Sequence, residues 1–531
     1  MEFEDILLLV GGYGKFQRNL TFFFLVPVSC ALPCFWMNFI FMVSVPDHWC
    51  YVPELANLST SQQKMLIGHP SNPSCTMYNL NYSQVLVGGS SVAPNHTETY
   101  IPCVNGWTYD KQNYEVTAAT KFNLVCDKSH FPSLLLTLQN AGSLIGTPIY
   151  GILSDKYGRK LMFLALAVVV SSTEIASVLV NNFIIFAILR AMNGISEIVA
   201  PDMRAHMNGV INCSWAFGLC VLPLVAYLAR SWVILGIASA ACGFGILMYW
   251  FFLPESPSWH ISQGRYEDAA KVMMTIAKTN GKEVDYNYIL LQLEILGEKI
   301  RQTKEQEKKD PKSSLLKYPR LRRNFIILCI CWSAFYVGYS GLTYNITNLS
   351  WNEFLNFFLL SAVEVPANLT FWFLMDRYGR RWSAALGFVM ISVFCLIPLI
   401  DFDSSDIIGS MLAKFLISGI FMITDQQGSE LFPTAFRTFG IGTGKAIATA
   451  ATLGIPYITL LNQYGKALPF VLIGLTSLVT GILASFLPET LNENLPQTMT
   501  DAEAFGKNQK YFSWTKKAEK SKDLAVVSTR L

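Results

Sequence analysis

Long apolar runs alternate with short polar segments along most of the chain, and each run is about the length that crosses the hydrocarbon core of a bilayer as a helix. They fall at about 21–43, 131–153, 161–180, 183–200, 207–228 and 232–252, and again at about 324–343, 353–374, 382–400, 407–429, 440–461 and 467–487. The pattern predicts an all-α membrane protein with twelve spanning helices in two sets of six. Two polar stretches are far longer than the rest, 44–130 after the first run and 253–323 between the sets. The chain therefore divides into a leading segment 1–20, a first bundle 21–252 that includes the loop 44–130, a linker 253–323, a second bundle 324–487 and a tail 488–531. Residues 1–20 are polar at both ends and do not read as a cleavable leader, since the run that follows is long enough to span.

A charged turn interrupts each set. Gly151-Ile-Leu-Ser-Asp155-Lys-Tyr-Gly158-Arg159-Lys160 lies between the second and third runs, and Asp376-Arg-Tyr-Gly379-Arg380-Arg381 recurs 221 positions later, measured from Asp155 to Asp376. Glycine permits the sharp reversal, and the basic residues suit an anionic membrane face. A second pair of motifs closes each set: Phe252-Leu-Pro-Glu255-Ser and Phe486-Leu-Pro-Glu489-Thr. Two matched turns and two matched exits imply a duplicated transporter whose halves move against each other. Asp155, Gly158, Arg159, Asp376, Gly379 and Arg380 are then candidates for conformational gating, together with Glu430 and Arg437 of Glu430-Leu-Phe-Pro433-Thr-Ala-Phe-Arg437.

Charge sets the expected orientation. Lys15 and Arg18 precede the first run, and ten Lys or Arg crowd the linker between Lys299 and Arg323, whereas 343–352 and 401–406 carry none. By the positive-inside rule both termini and the linker face the cytoplasm and the loop 44–130 lies outside. That loop holds Cys50, Cys75, Cys103 and Cys126 and the glycosylation sequons at Asn57, Asn81 and Asn95, which suits an oxidising, glycosylated exterior. Composition agrees: 52% of the 531 residues are hydrophobic and only 15% charged, against about 25% charged in soluble domains. The basic linker reads as a solvated face near membrane lipid, with no nucleic-acid role.

Several segments together resemble the solute carrier 22 family (organic cation, organic anion and carnitine transporters) of the major facilitator superfamily. They are Phe122-Asn-Leu-Val-Cys126, Pro254-Glu-Ser-Pro-Ser-Trp259, Gln263-Gly-Arg-Tyr266, Val363-Glu364-Val-Pro366 and the Glu430–Arg437 motif. The resemblance covers nearly the whole chain. It implies two six-helix bundles that rock around a central cavity, and disulfides Cys50–Cys126 and Cys75–Cys103. It also implies an aromatic cage and an acid for substrate at Trp332, Tyr339 and Glu364. Trp332 and Tyr339 are two helical turns apart and share a face, and a cation over such rings gains cation–π attraction.

The chain departs from the family pattern at two places. The position in the eleventh run where cation carriers have Asp and anion carriers Arg is Thr449, so the sign of the substrate stays open. Asp425 and Lys445 lie nearby at similar depths; they either pair structurally near a cytoplasmic gate or touch substrate. Glu174 and Glu197 are also intramembrane, with no partner evident. The second departure is in the repeat: Arg190 opens the fourth run as Lys414 opens the tenth, yet Arg190 to Pro254 is 64 residues and Lys414 to Pro488 is 74. Part of the fourth span and the turn after it is missing.

Gly442-Thr-Gly-Lys445 lacks P-loop spacing, there is no His-Glu-x-x-His, and six scattered histidines offer no metal cluster, so no enzyme, cofactor or metal reading is supported. The favoured function is plasma-membrane transport of small organic cations or zwitterions. Organic anion exchange is the alternative within transport, and a transport-dead receptor or scaffold the alternative of another class. The terminus Ser528-Thr-Arg-Leu531 matches the pattern taken by PDZ domains through strand addition.

Overall fold

The computed structural model describes residues 3–12, 14–67, 74–83, 99–196, 205–309, 317–400, 402–491, 493, 496, 498–507 and 509–511. Within them two six-helix bundles stand side by side. The first comprises α1 (Lys15–Met42), α2 (Phe131–Tyr157), α3 (Arg159–Leu179), α4 (Phe183–Ile195), α5 (Ala205–Ala229) and α6 (Trp232–Ile246). The second comprises α7 (Pro319–Tyr344), α8 (Glu353–Ala362 and Glu364–Tyr378), α9 (Arg380–Phe394), α10 (Ser405–Leu431), α11 (Thr434–Ala451) and α12 (Leu468–Ala484). Nine of the described helices are long and apolar enough to cross a bilayer, α4 and α12 are shorter apolar helices, and α2 is 27 residues long but more polar. The helix of α8 is interrupted at Val363, because Pro366 has no N–H to donate back to the Ala362 carbonyl. Glu364 opens the second piece.

The two duplicated motifs meet in space. Gly158 and Gly379 adopt φ of +109° and +88°, a left-handed conformation that a side chain would strain, and each starts a new helix directly. The exposed backbone amides of those helix starts are capped by the exit motif of the same half. Glu255 Oε1 accepts from the amides of Arg159 and Lys160 at 3.0 and 3.1 Å. Glu489 accepts from the amides of Arg380 and Arg381 at 2.9 and 3.1 Å. A carboxylate at a helix N-terminus satisfies orphan donors and opposes the helix dipole favourably. Trp259 and Gln263 tie the first turn further, each donating at 2.9 Å to the carbonyl of Asp155.

In the second half the same corner is buried and charged. Arg380 lies 3.4 Å from Glu430 Oε1, Gln426 donates to the same oxygen at 2.6 Å, and Thr490 donates to Glu430 Oε2 at 2.5 Å. Arg437 donates to the Phe432 carbonyl at 3.4 Å. In the first half the Arg159 side chain is exposed, and no ion pair to it occurs among the described residues. Among the described residues α4 runs 13 residues and α10 27. Glu197 and Pro201–Arg204, where the shortening expected from the repeat falls, lie outside the described residues.

The loop 44–130 carries two short antiparallel ladders, β1 (His48–Cys50) with β4 (Trp107–Tyr109) and β2 (Thr76–Tyr78) with β3 (Tyr100–Pro102). They join its cysteines as Cys50–Cys103 and Cys75–Cys126, which corrects the pairing Cys50–Cys126 and Cys75–Cys103 implied by the resemblance. The reason is strand register. Cys50 sits opposite Trp107, and the Tyr51 amide donates to the Gly106 carbonyl at 2.9 Å, so the segment entering β4 runs beside Cys50. The Cα atoms of Cys50 and Cys103 are then 5.1 Å apart, and those of Cys75 and Cys126 5.6 Å, both within normal disulfide reach. Asn57 and Asn81 are exposed on this loop; Asn95 lies outside the described residues.

At the opposite face, helices Pro257–Ser262, Tyr266–Asn280 and Tyr286–Lys309 of the linker pack with Phe3–Leu9 around Ile6, Val10, Ile261, Met273, Ile289 and Leu293. Asn280 anchors the leading segment by donating to the Val10 carbonyl at 3.0 Å and accepting from the Phe16 amide at 2.8 Å.

The bundles touch where α2 meets α11 and α5 meets α8. On the loop face Thr137 donates to the Leu453 carbonyl at 3.3 Å, Asn140 to the Thr452 carbonyl at 3.5 Å, and Tyr344 to Asn140 Oδ1 at 3.4 Å. Ser44 donates to Glu353 at 2.8 Å, and the Phe41 and Phe354 rings stack at 5.5 Å. Tyr114 of the loop packs on Phe354 as well, and its burial pushes its hydroxyl well above the usual tyrosine range. These contacts hold the seam shut towards the loop. On the linker side of mid-depth an open, almost wholly apolar cavity of about 470 Å³ lies between α1, α5 and α8, lined by Val26, Cys30, Phe217, Asn368 and Trp372 among others, of which Phe217 and Trp372 are exposed.

Candidate functional site

The site is built from three helices of the second bundle and one of the first. Tyr339 and Thr343 are one turn apart on α7 and so project together. Glu364 comes from the interrupted end of α8, and Lys414 from α10. The Lys414 ammonium lies 3.2 Å from Glu364 Oε1 and donates to Thr343 Oγ1 at 2.7 Å. It also sits 3.2 Å from the centre of the Tyr339 ring. Both charged side chains are almost fully enclosed, at 3% and 4% exposure. From the first bundle, Trp215 of α5 donates to the Tyr339 hydroxyl at 3.1 Å. The cluster therefore sits where the halves meet, and Asn368, one helical turn below Glu364, lines the cavity.

Tyr339 and Glu364 thus come together as the resemblance implied, with an addition that sequence reasoning missed. An acid and an aromatic face form a cation site, and the chain's own lysine ammonium fills it. Glu364 has no basic neighbour in sequence; its partner is 50 positions away on another helix. The signal that would have found it was the repeat, which aligned Lys414 with Arg190.

Trp332 goes elsewhere. It is fully buried two turns along α7, wedged between Gly428 of α10 and Gly444 of α11, where a Cβ at Gly428 would approach the indole to 2.6 Å. In this arrangement it packs helices and does not line the cavity. Asp425 and Lys445 do pair, at 2.8 Å, with about a quarter of each side chain exposed. Thr449 donates back to the Lys445 carbonyl of its own helix at 3.0 Å, and no charge stands in its place.

The first bundle carries a matching cluster that was also missed. Arg190 of α4 grips Glu174 of α3 with both terminal nitrogens, at 3.0 and 3.1 Å, and both side chains are 0% exposed. Asn38 and Asn193 donate to the same carboxylate at 3.0 and 2.8 Å, and Ser177 accepts from Arg190 at 3.0 Å. The guanidinium stacks over Phe39 at 4.5 Å. This acid is saturated.

Comparison with known proteins agrees with the architecture. Residues 81–501 match the family described as sugar (and other) transporter. The chain is similar to the mouse solute carrier family 22 member 21, at 31% identity over 99% of this chain and 98% of that one. It is 32% identical to organic cation transporter 1 of Caenorhabditis elegans, over 95% of this chain and 89% of that one. It is 30% identical to the carcinine transporter of Drosophila melanogaster, over 99% and 82%. Among solved structures, the inward-open xylose transporter XylE from E. coli superposes with a TM-score of 0.57 at 13% identity, covering 92% of this chain and 99% of that one, a likeness of fold. On the strength of the matched family and these full-length relatives, the chain belongs to the solute carrier 22 family of the major facilitator superfamily, a multi-pass membrane transporter fold.

Proposed function

We propose that the protein carries small organic cations or zwitterions across the plasma membrane by alternating access, with both termini and the linker in the cytoplasm. The supporting observation is the enclosed Glu364–Lys414–Tyr339 cluster, placed at the contact between bundles under a seam shut towards the loop. On this reading the state described faces the cytoplasm, since the contacts between the bundles close the loop side. Rocking then opens the Thr137–Leu453, Asn140–Thr452 and Ser44–Glu353 contacts and closes the cavity between α5 and α8. The capped turns at Gly158 and Gly379 keep each bundle rigid while it rocks. Relatives named for carcinine, β-alanine, carnitine and organic cations support this substrate range.

The anion-exchange reading rested on Lys445, and Asp425 already engages that lysine. The possible PDZ contact at Ser528–Leu531 lies outside the described residues and stays a proposal from the sequence. Uptake of labelled cations, zwitterions and anions into vesicles from expressing cells tests the function. Accumulation of amines or zwitterions that falls in Glu364→Gln at equal protein is the expected result. Uptake of anions alone overturns it in favour of exchange, and no uptake of any class favours a receptor or scaffold.

A further inference from the structure

The cation site of this chain is already full. An incoming monocation that takes the Glu364 carboxylate and the Tyr339 ring must expel Lys414, and then leaves a buried ammonium without its acid. Removing one partner from a buried ion pair is far costlier than exchanging it. An incoming monoanion has the mirror problem, because capturing Lys414 strands Glu364. A solute with both charges avoids both penalties. Its ammonium lies against Glu364 and Tyr339 while its carboxylate receives the displaced Lys414, and every charge stays paired throughout.

We propose that Lys414 is the specificity-determining residue of the site, standing in for the substrate's ammonium when the site is empty and binding its carboxylate when it is full. The solute class selected is a zwitterion with ammonium and carboxylate on a short aliphatic spacer. This deepens, and rests on, the reading of the cluster as the substrate site. Two further observations carry it. Lysine has a flexible four-carbon stem and a point charge, so it can swing off Glu364 and keep a single new partner, which a bidentate arginine does less readily. Its other contacts are neutral, Thr343 and the Tyr339 ring and carbonyl, so no second acid holds it in place among the described residues.

The test compares three forms of one skeleton: 4-aminobutyrate, its methyl ester (cation only) and its N-acetyl derivative (anion only). Initial uptake is measured in vesicles and normalised to the amount of full-length protein in them. Wild type should take the zwitterion at least tenfold faster than either singly charged form. Lys414→Gln should reverse the order of zwitterion and ester, and Lys414→Arg should restore the wild-type order at a lower rate. Should Lys414→Gln accumulate poorly, the double variant Glu364→Gln with Lys414→Gln removes both charges together and is expected to lose the zwitterion preference. An ester taken up as fast as the zwitterion in wild type, with a ratio unchanged in both Lys414 variants, overturns the proposal and leaves the site standing. Uptake of all three forms untouched by Glu364→Gln and by the double variant overturns the site as well.

Discussion

Each half of the molecule buries one basic residue at the same place in its repeat, and the two are used differently. Arg190 is held by a bidentate carboxylate whose oxygens also receive two asparagines, inside a bundle, with no exposure. Lys414 is held by one carboxylate oxygen, a hydroxyl and a ring, where the two bundles touch and next to the cavity. Arginine presents a rigid fork that holds two acceptors at once, while lysine is a point charge on a flexible stem. The first arrangement therefore behaves as a rivet and the second as a contact that can be exchanged. The corners of the halves differ in the same sense of asymmetry but with the roles reversed. Arg380 is locked to Glu430, whereas the Arg159 side chain lies exposed with no ion pair among the described residues.

The largest effect should come from splitting the rivet. Arg190→Ala or Glu174→Ala leaves an uncompensated buried charge, and a loss of about 3–5 kcal/mol is expected. Thermal unfolding in detergent and yield of full-length protein should both collapse, with uptake lost in proportion to protein. A stable, abundant Glu174→Ala that no longer transports would erase the distinction between the halves.

Glu364→Gln should have the next largest effect, and on a different readout. Gln keeps the shape of Glu364, and Lys414 retains its contacts to Thr343 and to the Tyr339 ring and carbonyl, so folding should change less than when the rivet is split. Loss of a charged hydrogen-bonding partner should weaken substrate binding by about 1–3 kcal/mol, roughly five- to 150-fold in apparent affinity. Concentration dependence of uptake checks this, and a variant that unfolds like Arg190→Ala would show the second pair to be structural too.

The Asp425–Lys445 pair is partly open to water, so its removal should act more weakly. Lys445→Ala is expected to cost no more than about 1 kcal/mol of stability, with transport altered chiefly in rate. A shift in substrate preference in this variant would move the site about three helical turns along α10, towards the linker face. A smaller effect again is expected from inserting after Arg190 the stretch that the second half retains, which should raise yield or uptake modestly. Equal yield with and without the insert would show the short α4 to be sufficient.

What the sequence made legible was whatever repeats. The paired Asp-x-x-Gly-Arg turns and Phe-Leu-Pro-Glu exits, the twelve apolar runs and the missing stretch after Arg190 were all visible by comparing the chain with itself. That Glu255 and Glu489 cap the helix starts of those turns was not, because the partners are about a hundred residues apart. Glu364 stood out as an intramembrane acid, but its lysine is on another helix and only packing brings them together. Trp332 came from the family resemblance, with its helical spacing from Tyr339 in support. Spacing fixes a face and does not say what fills the groove opposite, and Gly428 and Gly444 leave that groove open to the indole. The disulfides failed for a related reason: four cysteines allow three pairings, and the choice depends on the register of two short ladders.

The measurement that bears most directly on the difference between the halves is uptake per molecule after both charges of each pair are neutralised together. The variants are Glu174→Gln with Arg190→Met, and Glu364→Gln with Lys414→Met. Neither leaves a buried charge alone, so folding is spared as far as the design allows, and uptake of a zwitterionic solute is divided by the full-length protein in the same vesicles. The first-half variant should keep its per-molecule uptake within about twofold, whatever its yield, and the second-half variant should lose about tenfold or more. Retained uptake in the second-half variant, with loss in the first, would contradict the account.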